Sequence, residues 1–150
     1  MAHTFTNLLT HVIFSTKGGA PVVSDAIRTN LHAYMGGIIR NMDGTPIMIN
    51  GPNDHVHLLI VVPADACVSD YVRTLKTNST KWVHEKWPER HAFAWQTGYS
   101  AFAVSDSNRS KVIAYIQNQV EHHNKISFEE EFIAFLKLHH IDYDPRFVLD

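Results

Sequence analysis

Two histidines one residue apart, His55 and His57, and a tyrosine followed four positions later by a glutamine, Tyr115 and Gln119, are the residues whose types and spacing could do chemistry. On an extended chain successive side chains alternate, so His55 and His57 share one face while Val56 and Leu58 take the other. Two imidazoles on one face can share a divalent cation, and a strand holds them more rigidly than a loop. They are still an incomplete site, and in a chain with 11 histidines simple packing explains such a pair equally well. Lys111, Tyr115, Gln119 and His122 recur at spacings that align them on one face of a helix. A phenol has a reference pKa of roughly 10, so a nucleophilic Tyr115 needs a base, nearby positive charge or a metal. Lys111 and a bound cation can supply that charge, and the Gln119 amide oxygen can complete a metal shell. An ordinary amphipathic helix with Tyr115 at the core boundary is the alternative, and spacing alone favours it.

The surrounding pattern says what must position these residues. Residues 7–15 are rich in β-branched and apolar side chains and end at Lys17-Gly18-Gly19-Ala20-Pro21, a strand followed by a loop. Ser24 then offers an N-cap to a helix whose Ile27, Leu31, Tyr34, Met35, Ile38 and Met42 keep helical period, stopping before Asp43-Gly44. Residues 45–50 and 55–62 form two strand-like runs around Gly51-Pro52-Asn53-Asp54, a hairpin whose second strand is central. Ser69 can cap a second helix that ends near Trp87-Pro88. Residues 99–104 read as the next strand. The order is β-α-β-β-α-β, so the expected class is α/β (α+β): a ferredoxin-like antiparallel sheet with two helices on one face. C-terminal helices follow, one over about 108–123 that carries the tyrosine, and one after Ser127, whose spacing to Glu130 suits a capping box. Val112, Ile113, Ile116 and Val120 should form the apolar stripe of the first, and Phe128, Phe132, Phe135 and Leu136 should point inward from the second.

A chain of 150 residues with 45% hydrophobic content fits one domain, with a core over about 7–104 and a tail over 127–150. The lone cysteine, Cys67, cannot form an intrachain disulfide, the N-terminal stretch lacks the features of a secretory signal, and no apolar run approaches the roughly 20 residues of a membrane span. A cytoplasmic protein without membrane function is expected. The formal net charge of −2 is not the usual footprint of a phosphate binder. Six acids and two bases lie in residues 127–150, however, which leaves residues 1–126 with 11 bases against 9 acids. Arg73 and Lys76 on the second helix, with Lys111 and His122, are candidate phosphate or DNA contacts, although a solvated mixed-charge face explains each equally well. The pairs His122-His123 and His139-His140 read as surface or DNA-facing residues, because adjacent helical side chains diverge by about 100°.

Asp54-His55-Val56-His57-Leu58-Leu59 resembles the HUH motif (histidine, hydrophobic residue, histidine), and Tyr115-Ile116-Gln117-Asn118-Gln119 resembles the tyrosine motif of the single-tyrosine HUH transposases. That family comprises transposases of the smallest bacterial insertion sequences and the related REP-associated tyrosine transposases. His11-Val12-Ile13-Phe14-Ser15-Thr16-Lys17, Trp95-Gln96-Thr97-Gly98-Tyr99 and Phe128-Glu129-Glu130-Glu131-Phe132 agree in order, so the likeness covers nearly the whole chain. The loop 17–21 lacks the arginine that members often carry before this proline. The resemblance implies that His55, His57 and Gln119 are metal ligands for Mg2+ or Mn2+ and that Tyr115 is the nucleophile, joined covalently to a DNA 5′ phosphate. It further implies a homodimer that cuts and rejoins single-stranded DNA near hairpins, with no small-molecule organic cofactor. A metal phosphohydrolase with a structural Tyr115, and a non-catalytic hairpin-binding relative, are the competing readings.

Overall fold

The computed structural model describes residues 3–150; the first two residues of the N-terminal stretch considered above lie outside that range. Four strands, β1 (Leu8–Ser15), β2 (Thr45–Asn50), β3 (His55–Val62) and β4 (Ser100–Ala103), pair antiparallel in the order β2-β3-β1-β4. With α1 (Asp25–Asn41) after β1 and α2 (Val68–Lys86) after β3, this is the expected ferredoxin-like arrangement. The central strands β1 and β3 are buried on both faces, as their long apolar runs require. Val12, Phe14, Val56, Leu58 and Ile60 pack against Ile27, Leu31 and Met35 of α1 and Tyr71, Leu75 and Val83 of α2. The turn between β2 and β3 is tight enough that a Cβ on Gly51 would lie 2.3 Å from the His55 carbonyl oxygen, so only glycine fits beside the histidine strand.

Three shorter helices cover the opposite face: α3 (Arg109–Gln117), α4 (Gln119–His122) and α5 (Phe128–Leu138). Here the expected single helix over 108–123 is two, broken at Asn118 with φ −92° and ψ 15°. The Asn50 side-chain amide meets the chain at this break, donating to the carbonyls of Ile116 at 3.0 Å and Gln117 at 3.2 Å. Val112, Ile113 and Ile116 still pack on Leu9 and Leu59, whereas Val120, beyond the break, is half exposed. A second correction concerns α2, whose N-cap is the extended Cys67 and not Ser69; the Ser69 hydroxyl lies 2.8 Å from the Cys67 sulfur instead. The Ser127 cap is present, its hydroxyl accepting from the Glu130 N–H at 3.2 Å. Phe128, Phe132 and Leu136 then seat α5 on Ile13 and Phe102, with Phe135 at the margin.

Candidate active site

β3 delivers His55 and His57, fully buried, to the face covered by α3, α4 and α5. His11 of β1 joins them, its Nε2 lying 2.8 Å from His57 Nδ1. The last turn of α4 and the residue after it bring in Gln119, His122 and His123, and α5 brings Glu131, which is 2% exposed. The two oxygens of Glu131 face different partners. Oε1 lies 2.9 Å from His57 Nε2, 3.1 Å from His123 Nε2 and 3.5 Å from His55 Nε2. Oε2 accepts hydrogen bonds from the Tyr115 hydroxyl and, at 3.3 Å, from the Gln119 amide, with His122 Nε2 at 3.2 Å. Gln119 Oε1 lies 3.2 Å from His55 Nε2, and His55 Nδ1 is 2.6 Å from the Asp54 carboxylate.

Burial alone would raise the Glu131 carboxyl, but the rings of His123, His55 and His57 outweigh it and hold the group ionised far below the usual carboxylate range. His57 is held neutral, its pKa lowered to about 4 by burial against the opposing pull of Glu131. His11 is lowered to about 3 by burial and then by His57. At His55 the bonds to Asp54 and Glu131 overcome burial and raise the pKa. Tyr115 is pushed well above the ordinary phenol value, by burial first and then by Glu131. In this arrangement the phenol is firmly protonated.

A divalent cation fits the residues present. His123 Nε2 is buried, makes no hydrogen bond although it stands 3.1 Å from a carboxylate oxygen, and ligand atoms of His55, His57, His123 and Glu131 lie within 4.8 Å of one another. Of the residues singled out from the sequence, His55, His57, Tyr115, Gln119 and His122 come together within one chain. Lys111 is exposed on α3. Arg73 and Lys76 belong to α2, across the sheet: Arg73 pairs with Asp70 at 2.8 Å, and the Lys76 ammonium donates to the carbonyls of Gln96 at 2.9 Å and Thr97 at 3.2 Å. Both border a cleft of about 780 Å³ that also holds Lys81, Trp95 and Tyr99.

His123 and Glu131 were not singled out from the sequence. Placing His123 on the surface is corrected by its 3.1 Å approach to Glu131; it follows Gln119 by four residues, its N–H bonded to the Gln119 carbonyl at 3.0 Å, so the two share a face. Glu131 did carry a signal, since it follows Phe128 by three residues and shares the inward face of α5.

Among known proteins, the family model described as "Transposase IS200 like" matches residues 4–119. No curated protein matches the sequence. The fold is similar to that of a candidate transposase from Deinococcus radiodurans R1, with a TM-score of 0.65 and 24% identity over 79% of this chain and 95% of that one. It is also similar to a REP-associated tyrosine transposase bound to a REP hairpin, with a TM-score of 0.61 and 14% identity over 84% of this chain and 74% of that one. With the family match spanning most of the sequence, including both histidines, Tyr115 and Gln119, the chain belongs to the IS200-like transposase family.

Proposed function

We propose that this transposase cuts and rejoins single-stranded DNA through a covalent 5′-phosphotyrosine at Tyr115, with His55, His57 and Gln119 as ligands of Mg2+ or Mn2+. One observation carries the reading: the Tyr115 hydroxyl and the imidazoles of His55 and His57 converge on the same buried carboxylate, Glu131, so nucleophile and cation ligands share one site. The Tyr115 oxygen attacks the phosphorus as its proton is lost to water, the bond from phosphorus to the 3′ oxygen breaks, and the departing 3′ oxygen takes up a proton from water as a 3′ hydroxyl, while Glu131 Oε2 orients the phenol. In the reverse step a 3′ hydroxyl attacks the phosphotyrosine and the tyrosine oxygen leaves, which conserves the bond energy. A bound divalent cation supplies positive charge for the oxygens of the scissile phosphate as negative charge develops there. His122, 3.3 Å from the Tyr115 hydroxyl, lies where a phosphate oxygen would approach, and exposed Lys111 flanks the same helix. Arg73 and Lys76, beside the cleft on the other side of the sheet, suit the backbone of a hairpin better than the scissile phosphate. The hairpin-bound relative of similar fold supports hairpin DNA as the substrate. We take the working unit to be a homodimer of this one domain acting in the cytoplasm; among the described residues no helix is long and apolar enough to cross a membrane.

The test is a denaturing gel with end-labelled hairpin DNA carrying single-stranded flanks, in Mn2+, Mg2+ or chelator. A protein–DNA band that needs the cation supports the proposal. Cleavage without a covalent band would make the protein a metal phosphohydrolase, and binding without cleavage would make it a hairpin-binding module.

A further inference from the structure

We infer that His123 and Glu131 are ligands of the same cation, adding an imidazole and a carboxylate to His55, His57 and Gln119, and that Glu131 links this shell to Tyr115 through its second oxygen. The inference rests on the metal-assisted reading above and extends it to two residues outside the span matched by the family.

Proton positions carry the first step. The Asp54 carboxylate and the Ile126 carbonyl can only accept, so His55 Nδ1, at 2.6 Å, and His123 Nδ1, at 3.0 Å, carry the protons. A cation binds neutral rings, and on these both Nε2 atoms are lone pairs, 3.5 Å and 3.1 Å from Glu131 Oε1, another acceptor. Buried acceptors facing one another are unfavourable unless something positive lies between them. An outer N–H fixed by a carboxylate or carbonyl is also what metal-bound histidines show.

Size carries the second. Ligand bonds of about 2.0–2.2 Å around one ion place neighbouring ligand atoms on the order of 3.0–3.5 Å apart. The three Nε2 atoms stand 2.9, 3.1 and 3.5 Å from Oε1. Glu131 Oε2 is left free for the Tyr115 hydroxyl and the Gln119 amide. Three nitrogens and one carboxylate select a first-row transition ion over magnesium, which prefers oxygen and water.

The experiment titrates Co2+ into the full-length, metal-free protein, following the visible absorption of the bound ion and the dissociation constant. His123→Gln and Glu131→Gln are each expected to weaken Co2+ binding at least about 10-fold and to change the spectrum. Circular dichroism checks that each variant is folded. The wild-type protein provides a reading that needs no variant: the Co2+ complex should show three paramagnetically shifted ring N–H protons, from His55, His57 and His123. Two such protons, with unchanged affinity in His123→Gln and Glu131→Gln, would overturn the inference while leaving a site at His55 and His57. Absence of Co2+ binding by the wild type would overturn the metal-assisted reading itself.

Discussion

The two faces of the sheet share strand β3 but not its chemistry. Toward α1 and α2 the strand presents Val56, Leu58 and Ile60, each fully buried among apolar side chains. Toward α3, α4 and α5 it presents His55 and His57, equally buried but set among imidazoles, an amide, a phenol and a carboxylate. One layer therefore stabilises the fold through apolar burial alone around β3, while the other adds to its own apolar clusters a set of buried polar groups whose desolvation costs stability unless every partner is in place. Alternation along a single strand separates the two roles, so that most damage to one layer should leave the other readable.

The largest effect expected is on chemistry alone. Tyr115→Phe should lower DNA cleavage by at least about 10³-fold while the protein keeps its fold and its DNA affinity, as seen by quantitative cleavage assays beside a binding titration. A neighbouring pair on β3 then separates the layers. Leu58→Ala should cost about 2–5 kcal/mol of stability in urea unfolding. It should keep the stabilisation that Mn2+ confers, about 2.7 kcal/mol at a hundredfold excess over its dissociation constant. His57→Ala should lose that Mn2+ increment. If Leu58→Ala abolished the increment too, the two faces would be one cooperative unit and the contrast drawn above would fail.

His32 on α1 brings pH into the comparison, because burial first and Arg28 second lower its pKa from 6.5 to about 4. The folded protein therefore keeps the ring neutral where the unfolded chain protonates it. Stability should fall as the pH drops from 6.5 towards 4, by on the order of 2–3 kcal/mol from this group, and this contribution should vanish above that window. His32→Gln should flatten that part of a stability–pH profile; an unchanged slope would assign the loss to other groups. The smallest effect concerns the seating of α5. Ser127→Ala removes the cap on the helix that carries Glu131 and should cost about 1 kcal/mol, measured by thermal denaturation.

The apolar layer was the more legible of the two in sequence. Periodicity placed β2 and β3 at their observed bounds and α1 within a residue, because those elements bury regular stripes and end at strong turn formers. The site was legible where chemistry coincides with local spacing, as in the pair His55 and His57 and in Tyr115 with Gln119. It was opaque where a tertiary contact redirects the chain. The Asn50 bonds beside the break at Asn118 join residues 66 and 67 positions apart, and no local pattern announces them. His123 shares the face of Gln119, four residues before it, and Glu131 meets it from another helix. Glu131 itself was the more readable of the two, being a carboxylate on an otherwise apolar helix face.

The measurement that tests the central claim most directly is mass spectrometry of the trapped protein–DNA species after nuclease and trypsin digestion. The account predicts a phosphonucleotide on the peptide spanning residues 112–125, released by cleavage after Lys111 and Lys125, with fragmentation placing it on Tyr115. The adduct on Tyr34, Tyr71, Tyr99, Tyr143 or a histidine, or DNA cut with no adduct at all, would contradict it.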